Sequence, residues 1–149
     1  MNNIIYAGSH PLTYLVSRHA HTGWEFIYCT SGKGAVIFDD FILEYNEGDI
    51  IIIPPYVPHS NSGSEGFTNI HINMLNPTLA LKTPEIIHDD VNKFILNAFS
   101  ASFFHFNKET RQRAALLSAY GDLISCYIVS NREETLHSEI VEEIESEII

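Results

Sequence analysis

Three histidines and one glutamate are the residues of this sequence whose types and spacing could do chemistry. His19, His21 and Glu25 lie at alternate positions. Because side chains alternate between the two faces of a strand, these three can share one face of the segment that leads into residues 24–30. His59 follows a later strand and a proline-rich turn. Together these nitrogen and oxygen donors suit a site for Zn, Mn, Fe or Ni, with positions left open for water or a ligand oxygen.

Short strands separated by turn residues must position these side chains. Glycine, asparagine and aspartate mark most of the turns, and Pro54, Pro55 and Pro58 predict an extended, edge-like segment just before His59. Many short strands at regular spacing are typical of a β-barrel or sandwich. The predicted strands cover residues 4–7, 12–17, 24–30, 35–38, 41–45, 49–53 and 67–74.

Helical periodicity replaces the strand pattern after Pro84. Apolar spacing predicts a short helix over residues 89–99 and a longer one over 108–129, with Asn107 as its N-cap. A third helix is expected to begin near Arg132. The sequence therefore predicts a mainly β protein whose strands are followed by two to three helices.

The second predicted helix carries more apolar surface than one packing seam needs. One row could cover the barrel while the other meets the same helix of a second copy, or both rows could be buried within one subunit. The candidate dimerisation row is Leu116, Tyr120, Leu123 and Tyr127, and the row beside it is Leu117, Ile124 and Ile128.

Charge and composition exclude several classes of function. The formal net charge is −11, and seven glutamates fall within the last 19 residues. Lysine and arginine form no cluster that could neutralise phosphates, so we expect no nucleic-acid or membrane binding by this chain alone. The N-terminus lacks the basic and apolar regions of a signal peptide, which predicts a cytoplasmic protein. Cys29 and Cys126 stand in apolar contexts and are expected to be reduced core thiols.

Two sequence strings around the histidines resemble the cupin motifs. HAHTGWEFIYCTSG resembles the first motif and GDIIIIPPYVPH is similar to the second. This resemblance implies a double-stranded β-helix, or jelly-roll, barrel whose metal ligands would be His19, His21, Glu25 and His59. Three departures weigh against a catalytic cupin, because Thr13 and Tyr56 replace glycines and Gly63 replaces an asparagine.

A longer stretch, from Arg18 to Met74, resembles the N-terminal effector-binding domain of AraC-family transcription regulators. The strings WEFIYCTSGKG, ILEYNEGDIIIIPPYVPHS and FTNIHINM carry this resemblance. It implies a homodimer that contacts DNA only through a C-terminal domain absent from this chain, and HSEIVEEIESEII resembles the first helix of that domain. The effector, for example a sugar, would bind in the barrel at the candidate residues His19, His21, Glu25, Ile27 and His59.

The expected organisation follows from this resemblance. Residues 1–80 would form the ligand-binding barrel, 81–130 a helical dimerisation segment, and 131–149 the start of a linker or of the first DNA-binding helix. The last helix has no C-terminal cap, so we expect the natural chain to continue beyond residue 149. The expected function is effector binding without catalysis and without a required cofactor. The alternative is a stand-alone metal-dependent cupin enzyme, of isomerase or dioxygenase type, which uses the same four ligands.

The remaining aromatic and polar residues have structural interpretations. Trp24, Phe26 and Tyr28 are expected on the outer face of their strand, covered by the helices. The polar row of Asn69, His71 and Asn73 is expected to face solvent, with the polar side of the pocket as the alternative. The other histidines are expected at the surface or with satisfied hydrogen bonds; they are His10, His88, His105 and His137.

Overall fold

A computed structural model describes residues 3–77 and 79–148, except for the side chains of residues 135–138 and 145–148. Six strands precede two helices in this part of the chain. The strands are β1 (Asn3–His19), β2 (Trp24–Ile37), β3 (Ile42–Asn46), β4 (Asp49–Ile53), β5 (His59–Leu75) and β6 (Glu85–His88). The helices are α1 (Phe94–Phe106) and α2 (Arg113–Ile148).

The strands form an antiparallel sheet in the order β1-β5-β2-β4-β6, with β3 also paired to β2. Strand β2 pairs with β5 over nearly its whole length. Its other edge pairs first with β4 and then, past a bend, with β3. The predicted mainly β architecture with C-terminal helices is confirmed, and the topology is consistent with a jelly roll.

Alternation along the strands divides the protein into two apolar cores. Phe26 and Tyr28 of β2 point to the outer core, where Phe99 of α1 and Ile124 of α2 cover them. Ile27 and its alternate neighbours point to an inner core between the strands. Burying one such large side chain contributes about 1.5–3 kcal/mol. The expectation that the helices cover the aromatic face of β2 is confirmed.

Three of the strands, β1, β2 and β5, are longer than the sequence predicts. Gly8 and Pro11 were expected to end a strand, but β1 runs through both, with a pairing irregularity between His10 and Thr13. Proline is tolerated there because β1 pairs on one edge only. Residues 31–34 likewise bend β2 without ending it, since Gly32 adopts a φ of 79° beside two shifts in register. Residues beyond 80 also contribute a strand to the sheet, since β6 pairs with β4.

The helix boundaries differ from the predicted ones. Helix α1 begins at Phe94 because the carboxylate of Asp89 accepts hydrogen bonds from the amides of Ile95 and Leu96. The expectation that Asn107 is an N-cap is wrong: it lies at the C-terminal end of α1, where its amide donates to the carbonyl oxygen of Phe103. Helix α2 is a single helix of 36 residues, since neither proline nor glycine interrupts it near residues 130 and 131.

The two cysteines and the C-terminal glutamates can now be compared with the sequence expectations. Cys29 is buried as expected, but Cys126 is exposed, so the expectation of two core thiols is wrong for the second. Five of the seven C-terminal glutamates are exposed on α2; they are Glu133, Glu134, Glu139, Glu142 and Glu143. The side chains of Glu145, Glu147 and His137 lie outside the described residues.

Neither of the two helices in the described part of the chain has the combination of length and apolar character that a membrane crossing requires.

Candidate functional site

The structure brings the four predicted residues together at one end of the sheet. His19 ends β1, His21 lies in the connection to β2, Glu25 is the second residue of β2, and His59 begins β5. His59 Nε2 lies 3.1 Å from Glu25 Oε1, within hydrogen-bond distance. His21 Nε2 contacts Glu25 Oε2, and His19 Nε2 lies 3.8 Å from that same oxygen. These four residues are called the histidine–glutamate set below.

The loop of residues 54–58 places His59 in this set. The prolines end β4, and Tyr56 turns the chain with a φ of 65° at a position where the second cupin motif has glycine. The amide of Tyr56 donates to the carbonyl oxygen of His21 over 2.8 Å. This bond holds the two loops of the set side by side.

Backbone carbonyls fix the rings of two of the histidines. His19 Nδ1 donates to the carbonyl oxygen of Ser17 over 2.8 Å, and His59 Nδ1 donates to that of Val57 over 2.9 Å. With its Nδ1 proton held in this way, each ring turns Nε2 toward the Glu25 carboxylate. An ionised carboxylate only accepts, so a proton or a metal cation must lie at each Nε2.

Burial and charge oppose each other at Glu25, which is 4% exposed. Burial by itself raises the pKa of the carboxyl, but hydrogen bonds from His19, His21 and His59 outweigh it and hold the pKa well below its ordinary value. The same bond to Glu25 raises the pKa of His19, against the opposing effect of burial. The set is therefore an ionised carboxylate surrounded by imidazoles.

The donor atoms are close enough to hold one metal ion. One donor atom from each of His19, His21 and Glu25 lies within 4.8 Å of the others. Neutral imidazoles whose second nitrogen donates to a backbone carbonyl are the usual arrangement at protein metal sites, and His19 and His59 have it. The residues present thus fit a divalent metal such as Zn, Ni, Mn or Fe.

The histidine–glutamate set forms one wall of a cavity of about 480 Å³. Ile27 gives the cavity an apolar surface, as does Val16, and Asn61 lies beside them. All five candidate ligand-binding residues of the sequence analysis line this space. Its volume is within the range of roughly 300–1,000 Å³ that is common for small-molecule sites.

The opposite wall consists of residues that the sequence analysis placed in the pocket only as an alternative, or not at all. Asn69 Oδ1 accepts hydrogen bonds from His10 Nδ1 and His71 Nδ1, each over 3.1 Å. The two imidazole rings stack with centroids 4.5 Å apart, and Tyr6 stacks on His71 at 5.7 Å. Burial, together with the charge of neighbouring His10, lowers the pKa of His71 to about 4. This group, with Asn73, is called the amide–imidazole wall below.

One expectation is corrected by this wall. The row of Asn69, His71 and Asn73 does not face solvent but lines the cavity, which was the alternative interpretation, and His10 is half-buried with its Nδ1 bonded to Asn69, as expected of a satisfied histidine. Alternation correctly put the row on one face of its strand, but it could not tell which face was covered. The pairing of Gly8 with His71 and of His10 with Asn69 across β1 and β5 decides this.

The predicted dimerisation row lies on the outer side of α2. Tyr120 stacks on His105 at 5.7 Å and Tyr127 stacks on Phe94 at 6.1 Å. Both tyrosines therefore already pack against a ring of the same chain. Leu116 is half-buried, and Leu123 is 38% exposed. The neighbouring row is fully buried against the sheet; it comprises Leu117, Ile124 and Ile128.

The two remaining described histidines differ from each other. His88 is exposed and pairs with Asp49 at 2.7 Å, as expected for a satisfied surface residue. His105 Nδ1 is buried and has no hydrogen-bond partner among the described residues, which contradicts the expectation for this histidine. It lies between the two helices, away from the cavity.

A match to a known protein family agrees with this fold. Residues 10–66 match the family model described as Cupin domain, so this segment has the cupin fold. The match includes the whole histidine–glutamate set. No curated protein matches the chain.

Solved structures with a related fold include both small cupin proteins and an enzyme. A cupin superfamily protein from Desulfitobacterium hafniense is 20% identical over 47% of this chain and 64% of its own, with a TM-score of 0.42. A cupin protein from Bacteroides fragilis is 25% identical over 52% and 69%, with a TM-score of 0.41. A variant of oxalate decarboxylase from Bacillus subtilis is 27% identical over 48% and 19%, with a TM-score of 0.37. The chain thus spans less than two thirds of the length of the first of these proteins.

Proposed function

We propose that this chain is the effector-binding and dimerisation domain of a cytoplasmic AraC-like transcription regulator. A small polar molecule binds in the cavity between the histidine–glutamate set and the amide–imidazole wall. The observation that carries the proposal is that one strand, β2, faces the cavity on one side and the helices on the other. Ligand binding on the inner face can therefore alter the helices on the outer face.

A hydrogen-bonded connection supports this coupling. Tyr28 lies next to the cavity residue Ile27 and donates its hydroxyl proton to Asp89 over 2.7 Å. Asp89 in turn accepts from the amides of Ile95 and Leu96 at the start of α1, over 3.2 and 3.0 Å. A displacement of β2 by a ligand is thus transmitted to the first turn of α1. A ligand regulates only if it binds the two arrangements with different affinities.

The long helix α2 supports the remainder of the proposal. It packs on the sheet through its buried row and continues to Ile148, while Ile140, Val141 and Ile144 of its later turns are exposed. The predicted dimerisation row would contact a second copy, and DNA would be bound only through a further, C-terminal domain. The acidic charge of this chain disfavours direct contact with nucleic acid.

Hydrogen exchange measured with a bound ligand tests the coupling. Sugars, hydroxy acids and amino acids would first be screened for a rise in melting temperature. With any compound that binds, we expect slower exchange at the amides of Ile95 and Leu96. Tyr28→Phe should keep the binding but remove the change at these amides, whereas Tyr14→Phe, at an exposed tyrosine, should behave as the wild type. A compound that binds the cavity without affecting the helices would contradict the sensor proposal.

A stand-alone metal-dependent cupin enzyme, of isomerase or dioxygenase type, is the second candidate function. It is favoured by the close approach of the donor atoms of His19, His21 and Glu25 and by the carbonyl partners of His19 and His59. A bound divalent metal would supply Lewis acidity at the open end of the set. In this function the amide–imidazole wall would orient the substrate.

Metal removal distinguishes the two candidates. The sensor is expected to keep its melting temperature and its oligomeric state after treatment with a chelator. A steep loss of melting temperature that returns with Zn²⁺, Ni²⁺, Mn²⁺ or Fe²⁺ would favour the enzyme. Elemental analysis of the purified protein identifies the metal it carries.

A further inference from the structure

Asn73 stands between the two walls of the cavity. It lies on β5 directly opposite Glu25 of β2, so both side chains point to the same face of the sheet. The side chain is 9% exposed. It is the residue of the amide–imidazole wall that contacts the histidine–glutamate set.

The amide of Asn73 is poorly satisfied in its present orientation. Its Nδ2 donates to His21 Nδ1 over 3.4 Å, close to the outer limit of a hydrogen bond. Its Oδ1 is buried and has no hydrogen-bond partner among the described residues. A buried amide oxygen without a partner is uncommon and calls for an explanation.

His21 differs from the other two histidines of the set in its second contact. His19 and His59 donate Nδ1 protons to backbone carbonyls, which leaves Nε2 available to a metal. His21 Nδ1 instead accepts from Asn73, so a neutral His21 carries its proton on Nε2, beside the Glu25 carboxylate. In this tautomer His21 cannot bind a metal through Nε2.

Rotation of the Asn73 amide by half a turn exchanges Oδ1 and Nδ2 and so gives the buried oxygen a partner. The unpartnered Oδ1 then faces His21 Nδ1 and accepts a hydrogen bond from it. The imidazole proton leaves Nε2, an equivalent proton is taken up at Nδ1, and the Nε2 lone pair becomes free. The neutral ring has the same number of protons before and after.

We propose that Asn73 is a positioning residue that sets the tautomer of His21: its oxygen faces His21 Nδ1 when Nε2 binds a divalent metal, and its nitrogen faces Nδ1 when Nε2 holds the proton. This inference goes beyond the sensor proposal and does not depend on any response of the helices. In the metal-bound state the Asn73 oxygen would accept the Nδ1 proton of His21, as backbone carbonyl oxygens accept the Nδ1 protons of His19 and His59.

Metal affinity, measured by competition with a chromophoric chelator, is the first test. The probes are Zn²⁺ and Ni²⁺ alone, with the chain as it exists. Asn73→Leu removes the acceptor and should weaken binding by roughly 10- to 100-fold, the usual cost of losing an outer hydrogen-bond partner of a metal ligand. Asn73→Asp keeps an acceptor oxygen and should bind at least as tightly as the wild type. Asn46→Leu, at an exposed asparagine outside the cavity, is the control and should leave the affinity unchanged.

Nitrogen NMR of the histidine side chains is the second test, and it does not require Asn73→Leu to fold. In the Zn²⁺-loaded wild type we expect the His21 proton on Nδ1, and after chelation on Nε2. A Zn²⁺-loaded protein with a bare His21 Nδ1 would overturn the proposal, as would wild-type affinity in Asn73→Leu or the lack of any measurable affinity in the wild type. None of these results bears on whether a small molecule alters α1, so the sensor proposal succeeds or fails separately.

Discussion

The two faces of the central sheet are formed by the same strands but differ in how their buried side chains are stabilised. On the outer face, Phe26 and Tyr28 pack with the helices in a mainly apolar core. On the inner face, Glu25 of the same strand is 4% exposed among imidazoles and borders an open cavity. Apolar packing stabilises in proportion to the area buried, whereas a buried charge must be matched by partners. The outer face therefore contributes mainly apolar packing, whereas the inner face combines an apolar core with a buried charge beside a cavity.

The largest effect is expected from a cavity in the outer core. Phe99→Ala removes a side chain that is 0% exposed and contacts Tyr28. We expect a loss of about 3–5 kcal/mol in the free energy of unfolding, measured by urea denaturation. The matched control is Phe104→Ala, on the same helix but 53% exposed, with an expected loss of about 1 kcal/mol or less. Equal losses would mean that α1 does not pack on the sheet as described.

A smaller effect is expected where the outer face connects to α1. Asp89→Ala leaves the Tyr28 hydroxyl and the amides of Ile95 and Leu96 without their acceptor. The expected loss is about 2–3 kcal/mol by the same measurement, since buried donors lose their hydrogen bonds and a helix loses its cap. Asp90→Ala, at the exposed neighbour, should cost about 0.5 kcal/mol. If both substitutions cost the same, Asp89 is not the anchor of α1.

On the inner face, the buried imidazole of His71 should make the free energy of unfolding depend on pH. Its pKa of about 4 lies below the ordinary value of 6.5, so the unfolded chain takes up a proton first as the pH falls. The stability that His71 contributes is complete above pH 6.5 and is lost as the pH falls toward 4. The slope is at most about 1.4 kcal/mol per pH unit, and less where water reaches the ring.

His71→Gln cannot titrate and should show a shallower fall in stability over this window. Urea denaturation at a series of pH values measures it. Above pH 7 the variant and the wild type should differ by a constant amount, which serves as the internal control. Titrating groups around the ring are His10, His19, His21 and Glu25, and they remain in both proteins. Parallel curves down to pH 4 would show that His71 is protonated as easily in the folded protein as in the unfolded chain.

The smallest change in stability is expected from the side of α2 that faces away from the sheet. Replacing both Leu116 and Leu123 by Asp affects side chains outside the buried core and should cost about 0.5–1 kcal/mol. If this row is the dimer contact, the mass in solution measured by sedimentation should fall to that of a monomer. Val91→Asp, at a residue that is 95% exposed, is the control and should leave the mass unchanged. An unchanged mass for the double variant would remove Leu116 and Leu123 from the dimer contact.

Three of the four residues of the histidine–glutamate set could be predicted from local information, because His19, His21 and Glu25 lie within seven residues of one another. His21 lies in the connection between β1 and β2, so strand alternation does not extend through it. The amide–imidazole wall could not be predicted in the same way. Its members come from strands some sixty residues apart, as in the bond between His10 and Asn69. Only the register of β1 on β5 brings them together, and a shift of one residue would turn the row to the other face.

Local signals also failed where tertiary context outweighed them. Gly32 and Pro11 are strong turn signals, yet the long strands absorb both as irregularities because neighbouring strands continue to pair on either side. Asn107 is a frequent helix-capping residue, but its type does not tell whether a helix starts or ends there.

The period of the apolar residues and the cluster of His19, His21 and Glu25 can be read from the chain alone, because both depend on neighbours along the sequence. The sequence thus determined a mainly β fold with helices after it and one wall of a polar site. The tertiary structure was needed to show that Asn69, His71 and Asn73 turn toward the cavity and form its second wall. It also decided that the buried amide of Asn73 faces His21. The physical reason is that burial and pairing between distant strands are properties of the folded chain, and no local pattern encodes them.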